Sequence, residues 1–171
     1  MGESPEQSFE GFLAKAVSDS WIDSYVWRVA SSSSELKSQT GALAPGFSRT
    51  NKTASDGTLW ALDIKAVPGT VVGVDLELIK DRPILQSPQW LAQRFQLSPE
   101  SYTSQTLLEE WVCREAVFKA LAPNNGHLML SSFYKKSDHL YGVIDDPVDA
   151  SVEVLVSWSY LWVLAIARRF V

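Results

Sequence analysis

The chain has 171 residues, a net charge of −5, 46% hydrophobic residues, seven tryptophans and one cysteine, Cys113. That much apolar surface suits one compact domain, or two small subdomains sharing a core, and excludes disorder for most of the chain. A single cysteine excludes an intramolecular disulfide, and an acidic chain with no basic stripe among aromatics is not read as a nucleic-acid binder.

In chain order, the first nine or so residues read as a frayed tail. Met1-Gly2-Glu3-Ser4-Pro5-Glu6 is acidic and lacks the basic start of a secretory leader. A helix is expected through Phe9 to Val17 and a strand over Ser24 to Ala30. Ser31 to Asn51, with four consecutive serines and Gly41, Pro45 and Gly46, reads as loop. Thr58-Leu59-Trp60-Ala61-Leu62 is strand-like. Val71-Val72-Gly73-Val74-Asp75-Leu76-Glu77-Leu78-Ile79 is richer in β-branched residues and reads as a strand. Its alternation puts Val72, Val74, Leu76 and Leu78 on one face, and Asp75 and Glu77 on the other.

Two carboxylates about 7 Å apart on an apolar background repel and lose hydration, and a cation held between them would remove both costs. Oxygen ligands of this kind favour Mg²⁺, Ca²⁺ or Mn²⁺. The plainer alternative is an amphipathic strand whose polar face meets water.

Further on, Thr106 to Leu121 contains no Gly or Pro and repeats its apolar residues at helical spacing. Leu107, Leu108, Trp111, Val112 and Phe118 form one stripe, with Glu109 and Glu110 outside it as solvated charges. Glu115 falls inside the stripe, where a carboxylate needs a partner, and Lys119 lies one turn beyond it. Cys113 is expected to be a packed helix thiol rather than a nucleophile, with only His127 and His139 in the chain to activate it. Two histidines at no ligand spacing give no support for zinc. Asn124-Asn125-Gly126 is a turn signal. Leu128-Met129-Leu130, Phe133, Tyr134, Leu140 to Ile144 and Val152 to Ile166 are expected to form an antiparallel meander. The most apolar run, Trp158 to Ala167, is too short for a bilayer span, so a cytoplasmic chain without membrane contact is expected. The element order argues for an α+β fold.

Gly73-Val74-Asp75-Leu76-Glu77 followed by Trp111-Val112-Cys113-Arg114-Glu115-Ala116-Val117-Phe118-Lys119 resembles the paired signatures of the 4′-phosphopantetheinyl transferases. The family has a Gly-x-Asp-x-Glu strand and, about forty residues later, a Trp-x-x-Lys-Glu-x-x-x-Lys helix. Asp75 and Glu115 are 40 residues apart. Gln89-Trp90-Leu91-Ala92-Gln93-Arg94-Phe95 resembles the short helix between the two motifs, with Ser87 and Pro88 as its N-cap and first position. The resemblance spans roughly residues 51 to 171. It is nearer to the larger Sfp-type branch than to the holo-acyl-carrier-protein synthase branch.

The resemblance implies a 4′-phosphopantetheinyl transferase-like α+β fold of antiparallel sheets with packed helices. It also implies two related halves: a shortened first half over 1–70, and a second over 71–171 carrying the metal and coenzyme A motifs. The implied reaction moves the phosphopantetheine arm of coenzyme A to a serine of an apo acyl or peptidyl carrier protein. Asp75, Glu77 and Glu115 would hold Mg²⁺. Glu115 would act as general base, and Lys119 would steady charge on the phosphate. Coenzyme A would meet Lys119, Arg114 and Ser55, with Arg49 and Lys52 as candidates for its 3′-phosphate. Lys80, Arg82 and Arg94 would form the local basic patch for an acidic carrier.

The chain also departs from the pattern. The family's Ser-His-Ser segment corresponds to Ala54-Ser55-Asp56-Gly57, which has no histidine, and Arg114 replaces a lysine. A degenerate member that binds coenzyme A or a carrier domain without transfer is therefore the alternative. A third reading is an unrelated α+β interaction domain in which the three acids are surface charges.

Overall fold

The computed structural model describes residues 5–79, 88–94, 98, 102–121, 132–137, 140–144, 152–159 and 161–171. In order they form α1 (Pro5–Ser18), β1 (Ser24–Ala30), α2 (Ser33–Thr40), β2 (Phe47–Thr53), β3 (Leu59–Lys65) and β4 (Thr70–Leu78). Then follow α3 (Pro88–Arg94), α4 (Ser104–Leu121), β5 (Ser132–Ser137), β6 (Leu140–Ile144), β7 (Val152–Trp158) and β8 (Trp162–Phe170). The strands make two antiparallel sheets, ordered β1-β3-β2 and β4-β8-β7-β6-β5. The chain is α+β, and β5 to β8 run as the expected meander. The turn signal at Asn124 and the run Leu128 to Leu130 lie outside the described residues, as do His127 and His139.

The larger sheet is covered on both sides. Val163, Ala165 and Ala167 of β8, with Val152, Val154 and Val156 of β7, pack under α4. Trp162, Leu164 and Ile166 face the other way, joining Val72, Val74, Leu76 and Leu78 of β4. That second core is closed by Phe9, Leu13 and Ala16, spaced on one stripe of α1, and by Leu62 and Ile64 of β3. Phe9 lies 4.6 Å from Trp27 and 5.0 Å from Trp162, centroid to centroid. β1 to β3 thus precede residue 70 and β4 to β8 begin there, yet the two sheets share one core.

α1 begins at Pro5, inside the expected tail, and two features between it and α4 also differ from the reading of the sequence. The stretch 31–51 contains α2 and most of β2 rather than loop alone. Ser32 caps α2 by accepting from the Glu35 amide at 3.2 Å, and Glu35 accepts in return from the Ser31 amide and hydroxyl at 2.8 Å. The serine run is therefore a helix start. The second difference is β4, which has no solvated face: Asp75 is 2% exposed and Glu77 0%. The amphipathic-strand alternative does not hold.

Gly73 explains how α4 reaches β4. A Cβ at this position would stand 1.9 Å from the Ala116 carbonyl oxygen and 2.6 Å from the Ala120 nitrogen. The helix backbone thus rests directly on the strand, through a glycine and two alanines. This contact turns the helix so that Leu108, Val112, Cys113, Ala116, Val117, Ala120 and Leu121 are buried, while Trp111, Glu115, Phe118 and Lys119 are only partly so. Glu115 is therefore on the rim of the buried stripe and not within it. The buried face centres on the small residues Ala116 and Ala120 that meet Gly73, not on the bulkiest residues of the stripe.

The smaller sheet is locked by Asp63 of β3, which accepts from Arg28 of β1 at 2.8 Å and from Arg49 Nη2 of β2 at 2.9 Å. Arg49 also donates to the carbonyls of Thr40 and Gly41 at 2.9 and 3.0 Å, tying the end of α2 to the sheet. Burial pushes the Asp63 carboxyl up, but Arg49 and Arg28 outweigh it and hold it below its ordinary value. A carboxyl lowered by folding adds stability above its unfolded value of about 3.9, lost as pH falls through the folded value. Asp63→Asn should cost about 2 kcal/mol at neutral pH in chemical unfolding, and the deficit should shrink below about pH 4. Gly73→Ala should cost about 3 kcal/mol in the same measurement, because strand and helix backbones must separate.

Candidate functional site

β4 is an edge strand, and its outer edge faces β2. Alternation on β2 directs Ser48, Thr50 and Lys52 toward it. Ser48 Oγ accepts from the Val74 amide at 3.1 Å, while Lys119 Nζ of α4 donates to the Val74 carbonyl at 2.8 Å. A side chain from each flanking element thus caps the backbone groups an edge strand leaves open.

The acidic pair is built on the same frame. Gly73, Asp75 and Glu77 pair with Ala167, Ala165 and Val163, whose side chains lie under α4, so both carboxylates are on the α4 face. Asp75 Oδ1 accepts from Lys119 Nζ at 2.8 Å and Thr50 Oγ1 at 3.1 Å. Glu77 Oε1 accepts from Lys52 Nζ at 2.8 Å and the Trp111 indole at 3.1 Å. Lys52 Nζ is also 3.9 Å from Asp75 Oδ1. A cation between the two acids is what the strand pattern calls for, and the ammonium of Lys52 occupies that position.

Glu115 joins the cluster from α4. Burial pushes its carboxyl above the ordinary range, and Asp75 and Glu77 push it the same way, against Lys119 and Lys52. Among the described residues, Lys52 and Lys119 are the cations that act on Glu115 in this cluster. Asp75 Oδ2 is buried with no hydrogen-bond donor. Among the described residues no set of three His, Cys, Asp or Glu side chains is already arranged to hold a metal ion. Asp75, Glu77 and Glu115 are electrostatic neighbours rather than a finished cage, since lysines take one oxygen of each strand acid. The oxygen left for a hard cation is Asp75 Oδ2, and Mg²⁺ commonly takes only one or two carboxylates, completing its shell with water and substrate phosphates.

Beside this cluster lies a cavity of about 420 Å³, within the usual size of small-molecule sites. Leu43, Phe47, Val72 and Phe118 give it apolar walls, and Arg49 and Lys119 bring positive charge to it.

The remaining candidates fall elsewhere. Ser55 is exposed in the β2–β3 turn, beyond the β2 residues that meet Asp75. Arg114 is 6% exposed and donates to Glu110 at 2.7 Å, one turn back on its own helix. Glu110 is thereby paired, and Glu109 accepts from the Trp158 indole at 2.8 Å, so neither is a simple solvated charge. Arg49 is committed to Asp63 and to α2. Cys113 is packed in the core, and burial pushes its thiol well above the ordinary range. Ser87, Phe95, Lys80 and Arg82 lie outside the described residues, as does the side chain of Arg94. Sequence reading missed Thr50, Ser48 and the Trp111 indole as site residues. The signal for Ser48 and Thr50 was the polar alternation Ser48, Thr50, Lys52, which begins in a stretch read as loop-rich; that for Trp111 was its place in the signature helix.

Comparison with protein-family models and with curated proteins gives no match to this chain. Among the described residues no helix is long and apolar enough to cross a membrane.

The raised Glu115 carboxyl makes a prediction of its own. A carboxyl raised by folding weakens the fold above its folded value and not below its unfolded one. Glu115→Gln should therefore raise the melting temperature at pH 8 in chelator, with the gain disappearing below pH 4. An equal or lower melting temperature at pH 8 would contradict an unfavourable setting for the Glu115 carboxylate.

Proposed function

We propose that the chain transfers the 4′-phosphopantetheine arm of coenzyme A to a serine of an apo acyl or peptidyl carrier protein, releasing 3′,5′-ADP. One observation carries this reading. Asp75, Glu77, Glu115 and Lys119, the residues matching the transferase signatures, converge on one strand edge, and Lys119 also lines the neighbouring cavity. The 4′-phosphopantetheinyl transferase-like fold and its two related halves belong to the same proposal, supported by the α+β class and the sheet division near residue 70.

In this reading the diphosphate of coenzyme A lies against Lys119, and the apolar walls of the cavity shelter part of the rest. Bound Mg²⁺, held by Asp75 and Glu115 with Glu77 behind, would supply charge neutralisation on the diphosphate. The carrier serine oxygen attacks the β-phosphorus, a new P–O bond forms, and the bond to the leaving 3′,5′-ADP breaks. Glu115 takes the serine proton, directly or through a metal-bound water, a role for which its half-exposed position suits it. Lys119 is within reach of charge gathering on the leaving group. Thr50-Asn51-Lys52 on β2, rather than Ser55, would meet the nucleotide side.

A second reading has its own support. Lysines already neutralise Asp75 and Glu77, and Arg49 and Arg114 are committed within the protein, which fits a relative that binds coenzyme A or a carrier domain without transfer.

Incubation with Mg²⁺, coenzyme A and an apo carrier protein should add the mass of one phosphopantetheine arm. Asp75→Ala and Glu115→Ala should each lower the rate by about 10² or more. No transfer with coenzyme A still bound would establish the second reading, and neither binding nor transfer would leave a plain α+β interaction domain.

A further inference from the structure

We infer that Lys52 is a built-in competitor for the divalent cation of this site, displaced when that cation binds and thereby released toward the phosphate-bearing ligand. The inference rests on the Mg²⁺-dependent reading above, and concerns a residue that reading does not use as a metal ligand.

Three observations support it. First, the position is the cation's own: Lys52 Nζ stands 2.8 Å from Glu77 and 3.9 Å from Asp75, bridging the two strand acids. Second, the occupancy is incomplete. Asp75 Oδ2 is buried and keeps no donor, so the cluster retains an oxygen for a further cation. A divalent ion entering beside that oxygen meets the ammonium that already bridges the two strand acids. Third, the two lysines are not equally able to leave. Lys119 is fixed by Asp75 and by the Val74 carbonyl, which would lose its donor. Lys52 bonds only to carboxylate, on a 21% exposed side chain near the end of β2, with a turn at 54–57 just beyond.

A flexible ammonium stem can swing out where a planar guanidinium fork could not easily do so. In the metal-free protein, Lys52 keeps two buried carboxylates from facing each other without a counter-ion, which protects the fold. In the loaded protein it becomes a mobile cation beside an anionic ligand. The same residue thus makes the empty site stable and makes cation affinity moderate rather than tight.

Two measurements on the full chain test this. Mn²⁺ binding, followed by the electron paramagnetic resonance signal of the free ion, is compared for the wild type, Lys52→Met and Asp75→Asn. Lys52→Met should melt below the wild type in chelator, bind Mn²⁺ about tenfold more tightly, and recover its melting temperature with the metal. Amine acetylation of the wild type, read by mass spectrometry, should label Lys52 several-fold more with Mg²⁺ than in chelator, while exposed Lys15 stays unchanged. If Lys52→Met does not fold, the labelling decides.

Wild-type Mn²⁺ binding that is lost in Asp75→Asn, with Lys52→Met no tighter and Lys52 labelling unchanged, would overturn the competition and leave the metal reading intact. No Mn²⁺ binding by either the wild type or Lys52→Met would overturn both.

Discussion

The structure turns on two carboxylates buried at the edge of a sheet. Asp75 and Glu77 are almost fully removed from water, and each such ion carries a desolvation cost of several kcal/mol unless a counter-ion and hydrogen bonds offset it. The offset comes from outside the sheet. β2 supplies Thr50 and Lys52, and α4 supplies Lys119 and the Trp111 indole. The smaller sheet and the long helix are therefore held at the same strand by charge as well as by packing. Val74 shows the economy of the arrangement. Its edge amide and carbonyl are capped by Ser48 and Lys119, side chains belonging to the same two elements.

Packing sets how close these groups come. Gly73 allows the α4 backbone onto β4, and this places Lys119 within 2.8 Å of Asp75 and sets Glu115 in the field of both strand acids. A side chain at residue 73 would lift the helix and dilute what Lys119, Glu115 and Trp111 contribute to the cluster at once. Stability and site geometry thus share one contact. The glycine of the Gly-x-Asp-x-Glu pattern is not a spacer but the condition for two elements to share one set of ions.

Much of this was legible in the sequence. β4 and α4 were readable because one is dense in β-branched residues and the other lacks breakers over many turns. The acids on β4 were rightly placed on one face, and Glu115 with Lys119 beside them. Three things were hidden. β2 looks like loop because its inward face is polar, and it is polar because it meets buried carboxylates on another strand. α2 hid behind a serine run that is in fact its cap. The phase of α4 was misjudged because Ala116 and Ala120, the smallest residues on the wheel, mark its closest contact. Partners such as Lys52 to Glu77 join residues 25 apart in sequence through two different sheets, and no local spacing encodes that.

The central claim is that this strand edge is a cation-dependent site for a diphosphate ligand. Titration calorimetry of coenzyme A against the wild type, with Mg²⁺ and with chelator, and against Asp75→Asn tests it most directly. Binding should require Mg²⁺, weakening by about tenfold or more in chelator and again in Asp75→Asn. Equal affinity in all three, or no binding in any, would contradict it.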